Sequence, residues 1–370
     1  MSPKTDDFEI TIHAFYCGHG DTLLIEIPGP RRIMIDCHLT PEVERSIFGF
    51  FEDHKIQCLD YLFLTHFDLD HFQGMWRVVE YFSAKGRKLC AFGVGGGENS
   101  ARLAMLVARR EGQSLRVREF RRLTHTLRPH LESGAVKVIR FGSGGRIIFP
   151  AGSGYPICLV PIAPDASVAW LENDGAFERA LAGGAPGLDP NVLSAAMVLA
   201  AGHKRCTLAL LPGDLTRGQC ARALVAWEAT RNDELPKLAP WVDRSGGFDL
   251  VKVPHHGSIK SHDPALCERL AGRAQIAMVS VGSQYAVLPD KRVLTAYMHN
   301  GFVVLATCRR APRPVYSRLL DLTATAAPGT FAYARQTVKV TIPNFADPAW
   351  EPPAAEITPG EIELYAEARD

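Results

Sequence analysis

The stretch "LDYLFLTHFDLDHFQGMWRVVEYF", residues 59–82, decides the fold. Its opening residues are apolar and aromatic, which predicts a strand buried in a layered sheet. Further on, Phe72, Met75, Trp76, Val79 and Phe82 recur at helical spacing. Between the two, His66, Asp68, Asp70 and His71 crowd the loop where the strand hands over to the helix. Open α/β sheets place their chemistry on such loops.

Two more apolar runs end in the same way. "LALLPGD" (208–214) stops at Asp214, and "DLVKVPHHGS" (249–258) stops at His255, His256 and Ser258. If these strands lie together, the ligand-type side chains converge at one sheet edge. Mixed imidazole and carboxylate donors suit zinc, manganese or iron and fit no dedicated calcium or magnesium cage. Crowded carboxylates also repel one another unless a cation lies among them. Each motif has a plainer reading alone: a turn aspartate at Asp214, a surface histidine pair, a solvated turn at 66–71. Their shared placement after buried strands argues for one site.

The remaining chain organises around these strands. Residues 8–38 read as three short strands with turns at "CGHGD" and "PGPRR", and 41–54 as a helix with proline in its first turn. "KLCAFGVGGG" reads as a strand, and 99–110 as a helix capped by Asn99 or Ser100. "VLSAAMVLAAGHKRCTLALLPGD" reads as a hairpin of buried strands turning at "GHKR". Strands and helices alternate from Thr216 to Thr307. Beyond about residue 310 an appended β-hairpin and a tail are expected. "GVGGG" (93–97) lacks the lysine of a phosphate loop and reads as a tight turn.

The chain has 370 residues, 46% hydrophobic, enough for a substantial core. Lys plus Arg (41) nearly cancels Asp plus Glu (40), so charge distribution says more than net charge. Seven arginines lie between Arg109 and His130 against Glu111 and Glu119, whereas residues 347–370 hold seven acids and the single base Arg369. The first segment has the footprint of a polyanion binder, with Arg116, Arg118, Arg121 and Arg122 as candidate nucleic-acid contacts. It equally fits a solvated helix packed through Val117, Phe120, Leu123 and Leu127. The acidic tail could dock a protein partner or fold over the basic segment. Nine widely spaced cysteines give no paired framework and read as reduced thiols. No apolar run reaches membrane-spanning or signal length, so a cytoplasmic protein with no membrane partner is expected.

"CGHGD" (17–21), "IDCH" (35–38), "THFDLDH" (65–71), "NVLS" (191–194), "LLPGD" (210–214) and "PHHGS" (254–258) follow in this order. With them the chain resembles the metallo-β-lactamase fold, whose HxHxDH signature stands here as HxDxDH. More closely, it resembles the hydrolase domain of the competence protein ComEC and its stand-alone relatives, over roughly residues 8–308. The resemblance implies an α/β fold, an αββα four-layer sandwich over residues 1–310, with a small C-terminal β extension and acidic tail over 311–370. It implies one or two divalent transition metals, zinc or manganese. His66 and Asp68 would serve one metal, Asp70 and His71 the second, with Asp214 bridging. One of His255 and His256 would complete the second metal and the other would reach the scissile phosphate. Asp70, Asp214 and His256 would act in catalysis, through a metal-bound hydroxide.

Three departures from the family pattern stand out. The isolated third histidine of the first metal has no counterpart; His125, His130 and the Asn191/Ser194 pair are the polar candidates. His19 and His38 replace the family's glutamine and glycine. Beside the cleft they are read as contacts to the ligands or solvent rather than as ligands, and with Asn191, Ser194 and Ser258 as candidates for the substrate side. The family's "HP" stands here as Leu288 and Pro289. Two-metal sites open lactams, lactones, thioesters and phosphodiesters alike, and fold alone does not choose. The arginines and the ComEC resemblance favour a DNA or RNA nuclease. A small-molecule ester or lactone hydrolase, or a non-catalytic partner protein, are the alternatives.

Overall fold

Strands that alternate two apolar faces must be covered on both sides, and the computed structural model covers them. It describes residues 10–27, 29, 31–95, 114–141, 147–150, 156–164, 190–202, 206–233, 248–271, 276–281, 288–307, 331–334, 337–342, 354–357 and 363–365. The first half runs β1 (Ile10–Phe15), β2 (Leu23–Ile27), β3 (Arg31–Ile35), α1 (Pro41–Asp53), β4 (Cys58–Leu64), α2 (Leu69–Phe72), α3 (Met75–Ser83), β5 (Lys88–Gly95), α4 (Leu115–Glu132) and β6 (Lys137–Phe141). The second runs β7 (Ile147–Pro150), β8 (Pro156–Ala163), β9 (Ala196–Gly202), β10 (Cys206–Leu211), α5 (Arg217–Asp233), β11 (Leu250–Lys252), α6 (Pro264–Leu270), β12 (Ile276–Ser280), α7 (Lys291–His299) and β13 (Val303–Thr307). Four strands follow: β14 (Phe331–Ala334), β15 (Thr337–Ile342), β16 (Ala354–Ile357) and β17 (Glu363–Tyr365).

These strands form two mixed sheets, in the orders β16-β15-β1-β2-β3-β4-β5-β6 and β17-β14-β13-β12-β11-β10-β9-β8-β7. Ile10, Ile12, Ile25, Ile33 and Phe63 of the first pack against Leu159, Leu199, Leu250, Met278 and Leu305 of the second. The alternate residues of the first sheet, among them Leu24, Met34, Leu62 and Leu64, pack beneath α1, α3 and α4. Those of the second, among them Val198, Leu210, Val251 and Val279, pack beneath α5, α6 and α7. Three apolar interfaces thus stack helix, sheet, sheet and helix into the expected αββα sandwich.

Three features differ from the sequence reading. The helix expected across Phe72–Phe82 is two, because Gly74 lies at φ 77° and a Cβ there would meet that of Leu39 at 2.7 Å. The C-terminal strands are not one hairpin: β14 pairs parallel with β13, whereas β15 pairs antiparallel with β1. The expected helix over 99–110 and the "GHKR" turn fall largely or wholly outside the described residues. The hairpin's strands, β9 and β10, are antiparallel as expected. Cys17, Cys37, Cys58, Cys90, Cys158, Cys220 and Cys267 are unbridged.

A polar bracket ties the first three strands together away from the helix ends. Glu26 on β2 holds His13 of β1 at 3.0 Å and Arg32 of β3 at 2.9 Å. The hydrogen bond from His13 first, helped by Arg32, outweighs the partial burial of Glu26 and depresses its pKa from 4.5 to about 2. A carboxylate depressed on folding stabilises above its unfolded pKa, and that stability is lost as pH falls from about 4.5 towards 2. Glu26→Gln should therefore flatten the fall of melting temperature across that acid window. An unchanged acid slope in Glu26→Gln, read by circular dichroism, would refute the bracket's role.

Candidate metal centre

The loop after β4 is folded by one buried carboxylate. Asp36 sits at the end of β3 with φ 57°, a left-handed conformation that aspartate tolerates better than most residues. Its oxygens accept hydrogen bonds from Thr65 N, Thr65 Oγ1 and His71 Nδ1, each at 2.7 Å. Because Thr65 Oγ1 donates to Asp36, it accepts from His66 Nδ1 at 3.0 Å. Both imidazoles therefore carry a proton on Nδ1 and aim Nε2 inwards. Neither Nε2 has a hydrogen-bond partner, although both side chains are fully buried.

The second sheet supplies the opposing donors. Asp214 follows β10, and its backbone N–H donates to Ser194 Oγ at 2.9 Å. Gly213 makes that approach possible, since a Cβ on it would lie 2.5 Å from Ser194 Oγ. After β11, His255 and His256 take φ 50° and φ 53° in succession. Two adjacent left-handed residues are strained, at about 1–3 kcal/mol each, and such strain concentrates at functional sites. His256 Nδ1 donates to the Ser280 carbonyl at 2.8 Å, leaving its Nε2 3.3 Å from Asp70 Oδ2 and 3.5 Å from Asp214 Oδ2. His71 Nε2 lies 3.3 Å, and His255 Nε2 3.8 Å, from the same Asp214 oxygen. His255 Nδ1 contacts Ser261 Oγ at 3.1 Å.

Two compact donor groups result at this edge, apart from a third of Cys58, Asp60 and Cys90 elsewhere on the first sheet. Asp21, His71, Asp214 and His256 form one, all buried; His19, Asp70 and His256 form the other. Imidazoles fixed at Nδ1 by carboxylate, hydroxyl or carbonyl, with Nε2 unsatisfied, are what a divalent transition ion requires. The electrostatics agree. Burial opposes charge on His256, but Asp214 and Asp21 outweigh it and raise its pKa to about 10. His71 is likewise raised well above 6.5 against burial, by Asp214 and Asp36. Protons on these imidazoles balance the carboxylates, and a cation would take over that work.

The sequence-derived candidates separate into groups. Asp70, His71, Asp214 and His256 converge, and His255 and His66 border them. His19, expected to stand behind or beside the ligands, has its ring centroid 4.6 Å from that of His256 and belongs to the second donor group. Burial first, then His256, lowers its pKa to about 4. Asp68 falls in neither group: its Oδ1 caps α2 through Leu69 N at 2.9 Å and pairs with Arg116 at 2.9 Å. His38 packs the preceding loop, with Nδ1 2.7 Å from the Cys17 carbonyl. Ser194 holds Asp214, the Asn191 carbonyl accepts from Gln219 at 3.0 Å, and Ser258 Oγ accepts from Lys260 N at 3.3 Å. These three, expected on the substrate side, bond to the site's own framework. His125 and His130 lie on α4 and enter neither donor group.

Four residues escaped the sequence reading: Asp21, Asp36, Thr65 and Lys252. Lys252 is 2% exposed and its Nζ lies 2.6 Å from Asp21 Oδ2, an internal ion pair at the floor of the site. Burial opposes both charges, and their mutual attraction keeps both ionised. The motifs "CGHGD" and "IDCH" contained both aspartates, so a signal was present. Lys252 occupies an interior position of β11 in line with Leu250, and nothing local marks it.

No family model and no curated protein matches the sequence. Among solved structures, the chain is similar to the metallo-β-lactamase fold protein YhfI from Bacillus subtilis, at 12% identity and TM-score 0.42, over 82% of this chain and 98% of that one. It is also similar to a diphosphatase from the PhnP family, at 10% identity and TM-score 0.34, over 74% of this chain and 87% of that one.

Asp36→Asn should lower transition-metal affinity about 10–100-fold, the usual effect of losing a histidine's supporting carboxylate. Competition with a chromophoric chelator reads it, and wild-type affinity would sever Asp36 from the centre. Lys252→Met should destabilise the chain by about 3–5 kcal/mol by stranding Asp21. Adding Asp21→Asn should recover part of that loss in urea unfolding; no recovery would mean the two charges do not act as a pair.

Proposed function

We propose that this chain is a metal-dependent hydrolase of phosphodiester bonds, a DNA or RNA nuclease whose site resembles that of the ComEC hydrolase domain. The observation that carries this reading is the ion pair between Arg116 and Asp68 at 2.9 Å. It joins an arginine-rich helix directly to the loop that bears Asp70 and His71, so cationic side chains rim a set of metal donors. Phosphodiesters carry non-bridging oxygens for both kinds of group, whereas a lactone or thioester offers one carbonyl and calls for an apolar pocket.

His71, His256, Asp214 and Asp70 are the residues that would hold the ions. Bound there, zinc or manganese supplies Lewis acidity towards water and a phosphoryl oxygen. The chain's own groups do the rest. His255 is partly exposed at the rim, and burial, ahead of the opposing pull of Asp214, lowers its pKa. It is then a neutral imidazole near pH 7, able to accept a proton at Nε2. The Asp36–Thr65–His66 relay keeps the tautomers fixed while this happens, and the buried floor excludes water from beneath.

The experiment offers bis(p-nitrophenyl) phosphate, DNA, RNA, a lactone and a thioester to zinc- or manganese-loaded protein, with Asp214→Ala as control. Diester turnover should appear and fall at least about a hundredfold in the control, as loss of a central electrostatic group does. Turnover of the lactone or thioester alone would overturn the nuclease reading, and turnover of none would favour a non-catalytic protein.

A further inference from the structure

Beyond the donor groups, α3 and α4 enclose an open groove of about 540 Å³ lined chiefly by Trp76, Arg77, Glu80, Arg121, Arg122 and His125. Arg77, Arg121 and Arg122 line it together with Glu80, and Glu44 and Glu119 pair with two of the three arginines from outside the lining. The indole is held in place from behind: Trp76 Nε1 donates to Glu119 Oε2 at 3.0 Å. The same buried carboxylate accepts from Gly74 N at 2.8 Å and from Arg122 at 2.9 Å. The guanidinium carbons of Arg77 and Arg122 lie 5.0 and 5.5 Å from the indole centroid. Each also pairs with a glutamate, Arg77 with Glu44 and Arg122 with Glu119, yet a guanidinium has five N–H groups and both side chains remain at least 40% exposed.

Charge and position both connect this groove to the site. Helix α4 carries Arg116, Arg118, Arg121, Arg122 and Arg128 against Glu119 and Glu132. Its first turns touch the metal-donor loop through Arg116–Asp68 and through Phe120 stacked edge-on against Phe67, with centroids 5.1 Å apart. At about 1.5 Å per residue, Arg121 and His125 lie roughly 8–14 Å along the helix from Arg116. A strand whose phosphodiester lay at the donors could reach the groove with a neighbouring nucleotide.

We infer that the groove is a subsite for one nucleotide of a single-stranded nucleic acid, its base stacked on the Trp76–guanidinium platform and its phosphate held by Arg121 and Arg122. This rests on the phosphodiesterase reading and deepens it by naming the substrate class. Single strands are favoured because bases in a duplex are stacked on each other and cannot reach an indole. A purely apolar ligand would make no use of the exposed guanidinium N–H groups, and a bare anion would make no use of the ring.

The test measures fluorescence anisotropy of a labelled single-stranded oligonucleotide, phosphorothioate-linked to resist cleavage, and of its duplex, on metal-loaded full-length protein. Arg121→Glu with His125→Glu, and separately Trp76→Leu, should each weaken single-strand binding about tenfold, within the range that base–aromatic stacking is worth. Duplex binding should change less than about twofold under the same stacking argument. Trp76→Tyr keeps a stacking face and should retain affinity, which separates stacking from a packing defect. The arginine variant changes exposed positions, so it remains informative if Trp76→Leu fails to fold. Unchanged single-strand affinity in the arginine variant, or an equal loss on the duplex, overturns the subsite. So does poly-glutamate binding as tightly with the same losses, which would assign the groove to acidic protein segments. Failure of the hydrolase reading shows separately, as no turnover of any phosphodiester by the same preparation.

Discussion

The first sheet's half of the donor cluster hangs from the Asp36 carboxylate. A buried carboxylate is costly unless its oxygens are met by donors, and here three donors meet it from a single segment, Thr65 to His71. Asp36 N donates to Phe63 O and Cys37 N to His71 O, both at 2.8 Å, so main chain and side chain together fasten the end of β3 to the loop after β4. That loop therefore has one conformation. The Nδ1 contacts of His66 and His71 follow from it by donor–acceptor logic, and with them the direction in which both Nε2 atoms point.

The other half of the site comes from the second sheet, so it exists only if the sandwich closes. Asp214 and the His255–His256 pair leave the adjacent parallel strands β10 and β11 at the same end. Lys252, one turn earlier in the chain, bonds across the sandwich to Asp21 on the first sheet's loop. An ion pair this dry contributes little net stability compared with apolar packing, but it penalises any arrangement that separates its partners. It fixes the relative position of the two sheet edges where the donors face each other.

The sequence disclosed these two edges unevenly, for physical reasons. Strand ends ending in ligands were legible because a buried strand must read as an apolar run, and His or Asp at its end breaks that run conspicuously. Lys252 was illegible because it sits in the interior phase of a strand, where a cation becomes intelligible only once Asp21 is opposite. Asp36 and Asp21 stood inside quoted motifs, but a carboxylate's role depends on who donates to it, and those donors come from residues far along the chain. The same limit explains the C-terminal strands. Phe331–Ala334 and Thr337–Ile342 are separated by two residues, which locally suggests a hairpin, yet β15 pairs with β1 at the opposite end of the chain. Phe72, Met75, Val79 and Phe82 are buried as their helical spacing requires and Trp76 is half-buried, but they belong to two helices that part at Gly74, whose φ of 77° the spacing does not disclose.

Helix α4 bears out the packed-face reading of its sequence. Val117, Leu123 and Leu127 are buried, as a packed face requires, and the arginines emerge on the other side. What the pattern did not anticipate is Glu119 at an inward position, 4% exposed, binding Gly74, Trp76 and Arg122 at once. That carboxylate fixes the helix against the loop and so brings Arg116 to Asp68. The consequence reaches the metal donors. With Asp68 engaged by Arg116 and by its own helix cap, His66 keeps an unsatisfied Nε2, and α4's own histidines stay outside the donor groups. The position formed by His71, Asp214 and His256 is richly furnished, with Asp70 and His19 adjoining. The compact donor group thus contrasts with the sparser surroundings of His66, and it is on the sparser side that helix α4 engages Asp68.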